Sequence, residues 1–245
     1  MNGVGIVAAL VAESRSLGPA ARPDGRPAIL ADGTLLIVSG VGLVAAAEGA
    51  RRLAAAGARA LISWGMAGGL DPRLTAGSLV LPCEVISPEG SVFHTAQEWR
   101  ERVRVAIGDR RVSGGRLLTC REPLASSQAK ALAFRETGAV AVDMESAAVA
   151  EVASAAGLSF LAVRAIVDTA ADALPRAAIA AIPPDVSTVR VARLLGALAR
   201  RPAELLALVR LAGRHRAASR TLSAVARSGA LLPSIERQVA SHALP

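Results

Sequence analysis

Apolar residues fall along this chain in short unbroken runs, separated by stretches with helical spacing. Val4–Ala9, Leu35–Ser39, Ala60–Trp64, Ser78–Val85, Ala139–Asp143 and Phe160–Val167 are runs of strand length. They lack the alternation of a half-exposed sheet, so they predict strands buried on both faces. Leu43–Ala56, Ser126–Thr137 and Glu145–Ala156 read as helices, and Gly57, Gly138 and Gly157 stand where each would stop. Gly65–Pro72, with the sequence GMAGGLDP, follows a strand directly and reads as a glycine-rich turn. Pro183–Pro184 breaks the chain before a predicted helix at Val186–Arg200. Ala203–Ala226 again has helical apolar spacing, with Arg on the remaining faces.

Strand–helix alternation of this kind predicts an α/β fold with a mainly parallel sheet between helical layers. Residues 1–201 are expected to form the α/β domain, and residues 202–245 a helical, arginine-rich C-terminal extension. No internal repeat is visible. With 245 residues and 52% hydrophobic composition the chain can bury a large core. Tyr is absent and aromatics make up 2%, so that core must be built from Ala, Val, Leu and Ile.

Composition narrows the function classes. No apolar run reaches the roughly 18 residues of a membrane span, and no basic leader precedes an apolar stretch at the start. Cys83 and Cys120 form no metal-like cluster and suit a reducing compartment. A cytoplasmic protein is expected, with no metal and no cofactor. The net charge of +8 lies entirely in the last 56 residues, where ten Arg face Glu204 and Glu236. Lys130 is the only lysine.

Four stretches carry candidate chemistry. Ser39–Ala45 (SGVGLVA) matches GxGxxA, but the next strand ends in Trp and Gly, without the acidic residue a dinucleotide ribose needs. A tight turn into a helix is the better reading. The glycines of Gly65–Pro72 would let backbone N–H groups approach a ligand, or simply make a turn. Asp143, Met144 and Glu145 sit where a buried strand gives way to a helix. Carboxylates there can cap the helix or bind sugar hydroxyls. Arg164 lies inside an apolar strand and needs an anionic partner, and Asp168 ends that strand four residues later. The two can form a structural pair, or Asp168 can be a general acid with its pKa raised by a cleft.

In order, GIVAALVAE, SGVGLVAAAEGA, WGMAGGLDPRLTAGSLVLP and VDMESAAVAEVA followed by VRAIVDTAAD resemble the motifs of the nucleoside phosphorylase superfamily. They span about residues 4–172. The likeness is to the nucleosidases acting on methylthioadenosine and S-adenosylhomocysteine, and within these patterns to the hopanoid-associated phosphorylase group. The resemblance implies a three-layer α/β/α sandwich with a mixed, mostly parallel sheet. It implies cleavage of a 5′-substituted adenosine, such as adenosylhopane, to adenine and a ribosyl product. Asp168 then corresponds to the acid that protonates the purine, Arg164 to the arginine near the nucleophile, and Glu13 to the glutamate that positions water. Glu145 and Met144 match the ribose-binding pair, and Pro123 and Leu124 fall where the base is contacted. Met66 and Gly68 lie in the motif that lines the site.

The chain departs from the phosphate-using members. Ser63-Trp64 precede Gly65 where those members carry an arginine, and Glu13 would repel phosphate. Hydrolysis by water is therefore expected over phosphorolysis, in which inorganic phosphate is a co-substrate. Met66 stands where nucleosidases usually have Ser, which leaves the nucleophile open, makes the pocket more apolar, and leaves a catalytically weak nucleoside-binding, membrane-associated protein as an alternative to a nucleosidase. The basic tail reads either as a helix packed on the domain with a solvated Arg face, or as a membrane-surface element, peripheral at the inner membrane, serving a lipid-linked nucleoside. Nucleic-acid binding is disfavoured, because there are few aromatics to stack bases. The resemblance also implies a homodimer or larger homo-oligomer.

Overall fold

The computed structural model describes residues 3–18, 25–108, 112–174 and 205–232. Among them the chain runs β1 (Val4–Ala8), α1 (Val11–Ser14), β2 (Ala28–Ile29), β3 (Leu35–Val38), α2 (Leu43–Ala55) and β4 (Ala60–Gly69). It continues through β5 (Leu79–Val80), β6 (Glu84–Ile86), β7 (Val92–His94), α3 (Gln97–Ile107), β8 (Val112–Ser113) and β9 (Arg116–Thr119). Last come α4 (Ser127–Thr137), β10 (Ala139–Asp143), α5 (Ser146–Ala155), β11 (Ser159–Asp168) and α6 (Leu205–Arg227). The strands make one mixed sheet, ordered β2-β3-β1-β4-β10-β9-β6-β7, with β11, β5 and β8 branching from β4.

Alternate residues of the central strands feed two cores. Phe160, Ala162 and Ile166 of β11 pack with Ala46, Ala50 and Leu53 of α2 and with Ala147, Ala150 and Ala153 of α5. Leu161, Val163 and Ala165 pack on the other face with Trp99 and Val103 of α3 and with Ala218, Leu222 and Val225 of α6. Helices thus cover both sides of the sheet, which is why its strands read as continuous apolar runs. Small residues on α2 let it lie close: a Cβ on Gly49 would stand 3.1 Å from Ser39 Cβ and 3.2 Å from Ile37 Cγ2.

β4 departs from the sequence expectation, and the departure builds the site. Ala60–Trp64 pair in parallel with β1. The strand does not then turn. It leaves β1, runs on to Gly69, pairs with β11 along its length, and meets β10 antiparallel at Gly68 and Gly69. Gly65, Gly68 and Gly69 do not take the positive φ that a tight turn would use. The stretch Ser78–Val85 also divides, into β5 and β6. Pro82 cannot donate a ladder hydrogen bond, while its neighbours Leu81 and Cys83 donate to Ser113 and Gly115.

The arginine-rich segment enters the fold as α6. Its apolar stripe is used by the protein core, since Ala218, Leu222 and Val225 are fully buried. At these residues the apolar face is covered by protein; Arg210, Arg216, Arg220 and Arg227 are exposed, while Arg214 is half-buried against Asp172. The predicted helix at 186–200 and the boundary at 201/202 lie outside the described residues. Among those residues no helix is long and apolar enough to cross a membrane.

Candidate active site

The chemistry-bearing residues gather around the glycine half of β4. Glu13 comes from α1 just after β1, and Gly42 from the turn after β3. Asp143–Glu145 follow β10, which runs back alongside this half of β4. Arg164 pairs with Gly65 across the β4–β11 ladder, and Asp168 with Gly68. C-terminal ends of buried strands are where open α/β sheets bind ligands.

Glu13 is buried and anchored at both oxygens. Oε1 accepts the Met66 N–H at 2.8 Å and Oε2 accepts the Leu10 N–H at 3.0 Å. Burial raises its pKa; the nearby Arg164 charge and the backbone donors work in the opposite direction. The close approach explains Gly65, because a Cβ there would stand 2.5 Å from Glu13 Oε1 and 2.9 Å from Arg164 Nη1.

Arg164 finds its anion in Asp143, not in Asp168. Nε and Nη2 converge on Asp143 Oδ2 at 2.8 and 2.7 Å. Nη2 also donates to Ser63 Oγ at 2.6 Å and Ser146 Oγ at 3.0 Å. Asp143 accepts the Thr119 hydroxyl at 2.7 Å and the Ser146 N–H at 3.1 Å, so it caps α5 as well as pairing with the arginine. Burial works against the guanidinium charge, but Asp143, Glu145 and Glu13 outweigh it and hold Arg164 protonated.

Glu145 Oε1 accepts the N–H of Gly42 at 2.9 Å. The second glycine of the GxGxxA match, with φ of 96°, thus presents its N–H to a protein carboxylate. Burial, then the neighbouring Asp143, raises the Glu145 pKa from 4.5 to about 7, against the pull of Arg164 and Gly42; Glu13 adds a smaller push upward. Met144, beside it, is partly exposed, as are Met66 and Gly68.

Asp168 is aimed by a bulge. The β4–β11 register slips between Ile166 and Asp168, which sets the carboxylate opposite Gly68 instead of Gly69. A Cβ on Gly68 would lie 3.2 Å from Asp168 Oδ2. Asp168 is 5% exposed. Burial raises its pKa, and the ammonium of Lys130, bonded to Oδ2, offsets only part of that rise. Pro123 is exposed and Leu124 half-buried in the loop after β9. That loop is tied to the segment after β11 by the Leu174 N–H on Ala125 O at 2.9 Å.

Every candidate site residue named from the sequence thus falls within described segments, with Glu13, Glu145, Arg164 and Asp168 around one stretch of β4. Sequence reasoning missed Lys130 as the partner of Asp168, Asp143 as the partner of Arg164, and the serines at 63 and 146. The signal for Lys130 was its uniqueness among the cations. Among the described residues, no group of three His, Cys, Asp or Glu side chains is arranged to hold a metal ion.

A family model described as the phosphorylase superfamily matches residues 28–194. The chain belongs to this superfamily. Solved structures support the same fold. A 5′-methylthioadenosine/S-adenosylhomocysteine nucleosidase from Neisseria meningitidis, bound to methylthio-immucillin-A, is 20% identical. The match covers 93% of this chain and 100% of that one, with a TM-score of 0.65. The S. pneumoniae nucleosidase with a transition-state inhibitor is 17% identical over 92% and 98% of the two chains, with a TM-score of 0.65. Futalosine hydrolase of Helicobacter pylori strain 26695 is 16% identical over 91% and 97%, with a TM-score of 0.64. A search of curated proteins gives no match. The superfamily fold therefore brings its strand ends to the carboxylates described above.

Proposed function

We propose that this member of the phosphorylase superfamily cleaves the N-glycosidic bond of a 5′-substituted adenosine, with Asp168 as the general acid. The observation that carries the reading is Asp168 itself: a buried carboxyl with a raised pKa, opposite a glycine at the end of a buried strand. As the C1′–N9 bond stretches, its electron pair moves into the purine and the Asp168 proton passes to a ring nitrogen. Adenine then leaves neutral. A positioned acid of this kind contributes about 10²–10⁴-fold. In this reading Glu145, beside Met144, accepts hydrogen bonds from the ribose hydroxyls.

Water is the better nucleophile for this site. Arg164, the buried cation on this side, is already engaged by Asp143. An incoming phosphate would meet the Glu13 and Glu145 carboxylates, and among the described residues the Arg164 guanidinium beside them is already paired. Water can give its proton to Glu13 as its oxygen bonds C1′. The motif set favours adenosylhopane as substrate. The solved nucleosidases of the same fold favour the second reading, 5′-methylthioadenosine and S-adenosylhomocysteine. Adenine release from each of the three, with and without inorganic phosphate, is the test. Phosphate-independent release, with a free ribosyl product, is expected. Absence of release from all three substrates refutes the reading, and release only with phosphate refutes hydrolysis.

A further inference from the structure

Helix α4 buries one side chain among its residues, and that side chain is charged. Lys130 is 1% exposed, while the rest of α4 is half-buried or exposed. Its ammonium has three N–H donors, and three acceptors stand around it. They are Asp168 Oδ2, Thr169 O at 2.8 Å and Asp172 O at 3.0 Å. All belong to the strand end and loop that carry the acid. The sequence adds a second observation. Every other side-chain cation of this chain, histidine aside, is Arg, and the single Lys stands here. A planar guanidinium cannot direct three donors from one atom to three acceptors, whereas an ammonium can.

We propose that Lys130 is the positioning residue for Asp168: it fixes one carboxylate oxygen and the following loop, leaving Oδ1 for the purine. The proposal rests on the reading of Asp168 as the acid. The loop has a further tether, because Asp172 Oδ2 accepts the Thr169 N–H at 2.9 Å, the Thr169 hydroxyl at 2.6 Å and Arg214 Nη1 of α6 at 2.7 Å. Among the described residues, Lys130 and Asp172 are the charged groups that act on the Asp168 carboxyl, with Arg214 behind Asp172. Lys130 favours the ionised carboxylate and burial favours the neutral acid, so removing the lysine moves Asp168 titration to higher pH.

The test is a carbon-13 NMR titration of the side-chain carboxyls in the full chain, with the Asp168 signal identified by its loss in Asp168→Asn. The midpoint in Lys130→Met is expected above that of the unchanged protein, and Lys130→Arg, which keeps the charge, between the two. Adenine release from 5′-methylthioadenosine by Lys130→Met is expected to fall about 10–100-fold in kcat with little change in KM. Its alkaline limb should move up in pH. On an Asp168→Asn background Lys130→Met should cost nothing further, because it acts through the missing carboxyl. An unchanged NMR midpoint, or a full additional loss in the double variant, overturns the proposal. Full-speed release by Asp168→Asn removes the acid reading instead, and the NMR midpoint still decides whether Lys130 holds the carboxylate.

Discussion

Replacing Gly65 by Ala adds one carbon where the structure has no room for it. The new Cβ would lie 2.5 Å from Glu13 Oε1, 2.8 Å from Glu13 Cδ and 2.9 Å from Arg164 Nη1. Neither neighbour is a free side-chain end. Glu13 is held by the Met66 and Leu10 N–H groups, and Arg164 by Asp143, Ser63 and Ser146. Overpacking of this kind costs about 1–3 kcal/mol. Displacing Glu13 also leaves the Met66 donor unsatisfied, at about 1–3 kcal/mol. The sum predicts a loss of roughly 2–6 kcal/mol in urea denaturation. Movement of Glu13 by about 1 Å predicts a turnover loss on the order of 100-fold even at temperatures where the variant is folded. Urea midpoint and adenine release, measured on the same preparation, check both. A Gly65→Ala protein with unchanged midpoint and turnover would refute the packing of Glu13 and Arg164 against β4.

Other outcomes follow from the same geometry. Arg164→Met strands the buried Asp143 carboxylate and should cost about 3–5 kcal/mol in denaturant unfolding, whereas replacement of an exposed arginine such as Arg51 should cost under about 0.5 kcal/mol. Glu145 gives stability a pH dependence whose sign is fixed. Its folded pKa is raised from 4.5 to about 7, so its contribution is full below the lower value and lost as pH rises through the upper one. The loss is ~3 kcal/mol. Glu145→Gln should flatten that decline, and an unchanged slope between pH 5 and 8 would contradict it. Ser126 caps α4 by accepting the Ala129 N–H at 3.1 Å, so Ser126→Ala should lower stability by about 1 kcal/mol.

The parts of the fold legible in the sequence are those where one residue pattern spans a whole element. β10 and β11 fall on apolar runs, and α2, α4 and α5 end within two residues of Gly57, Gly138 and Gly157. β2, β5 and β8 have two residues each, too few for any periodicity to show. The β4 glycines misled for a physical reason. They serve side chains arriving from elsewhere in the chain, and a local rule assigns glycine runs to turns. The site divides the same way. Asp168 ends β11, Glu145 precedes α5 just after β10 and Glu13 lies in α1 just after β1, and motifs name all three as candidates. Lys130 reaches Asp168 across 38 residues, and Arg164 reaches Asp143 across 21. No spacing rule encodes such contacts. The GxGxxA match reads as a tight turn into a helix, and Gly42 does precede α2, yet its use as a donor to Glu145 required the folded chain.

The central claim is that Asp168 gives the proton that lets adenine leave. The most direct measurement compares adenine release from 5′-methylthioadenosine by the unchanged protein and by Asp168→Asn, near neutral pH and at saturating substrate. The account predicts a fall of about 10²–10⁴-fold in kcat, with KM little changed and the folded state retained. Equal rates from the two proteins would contradict it.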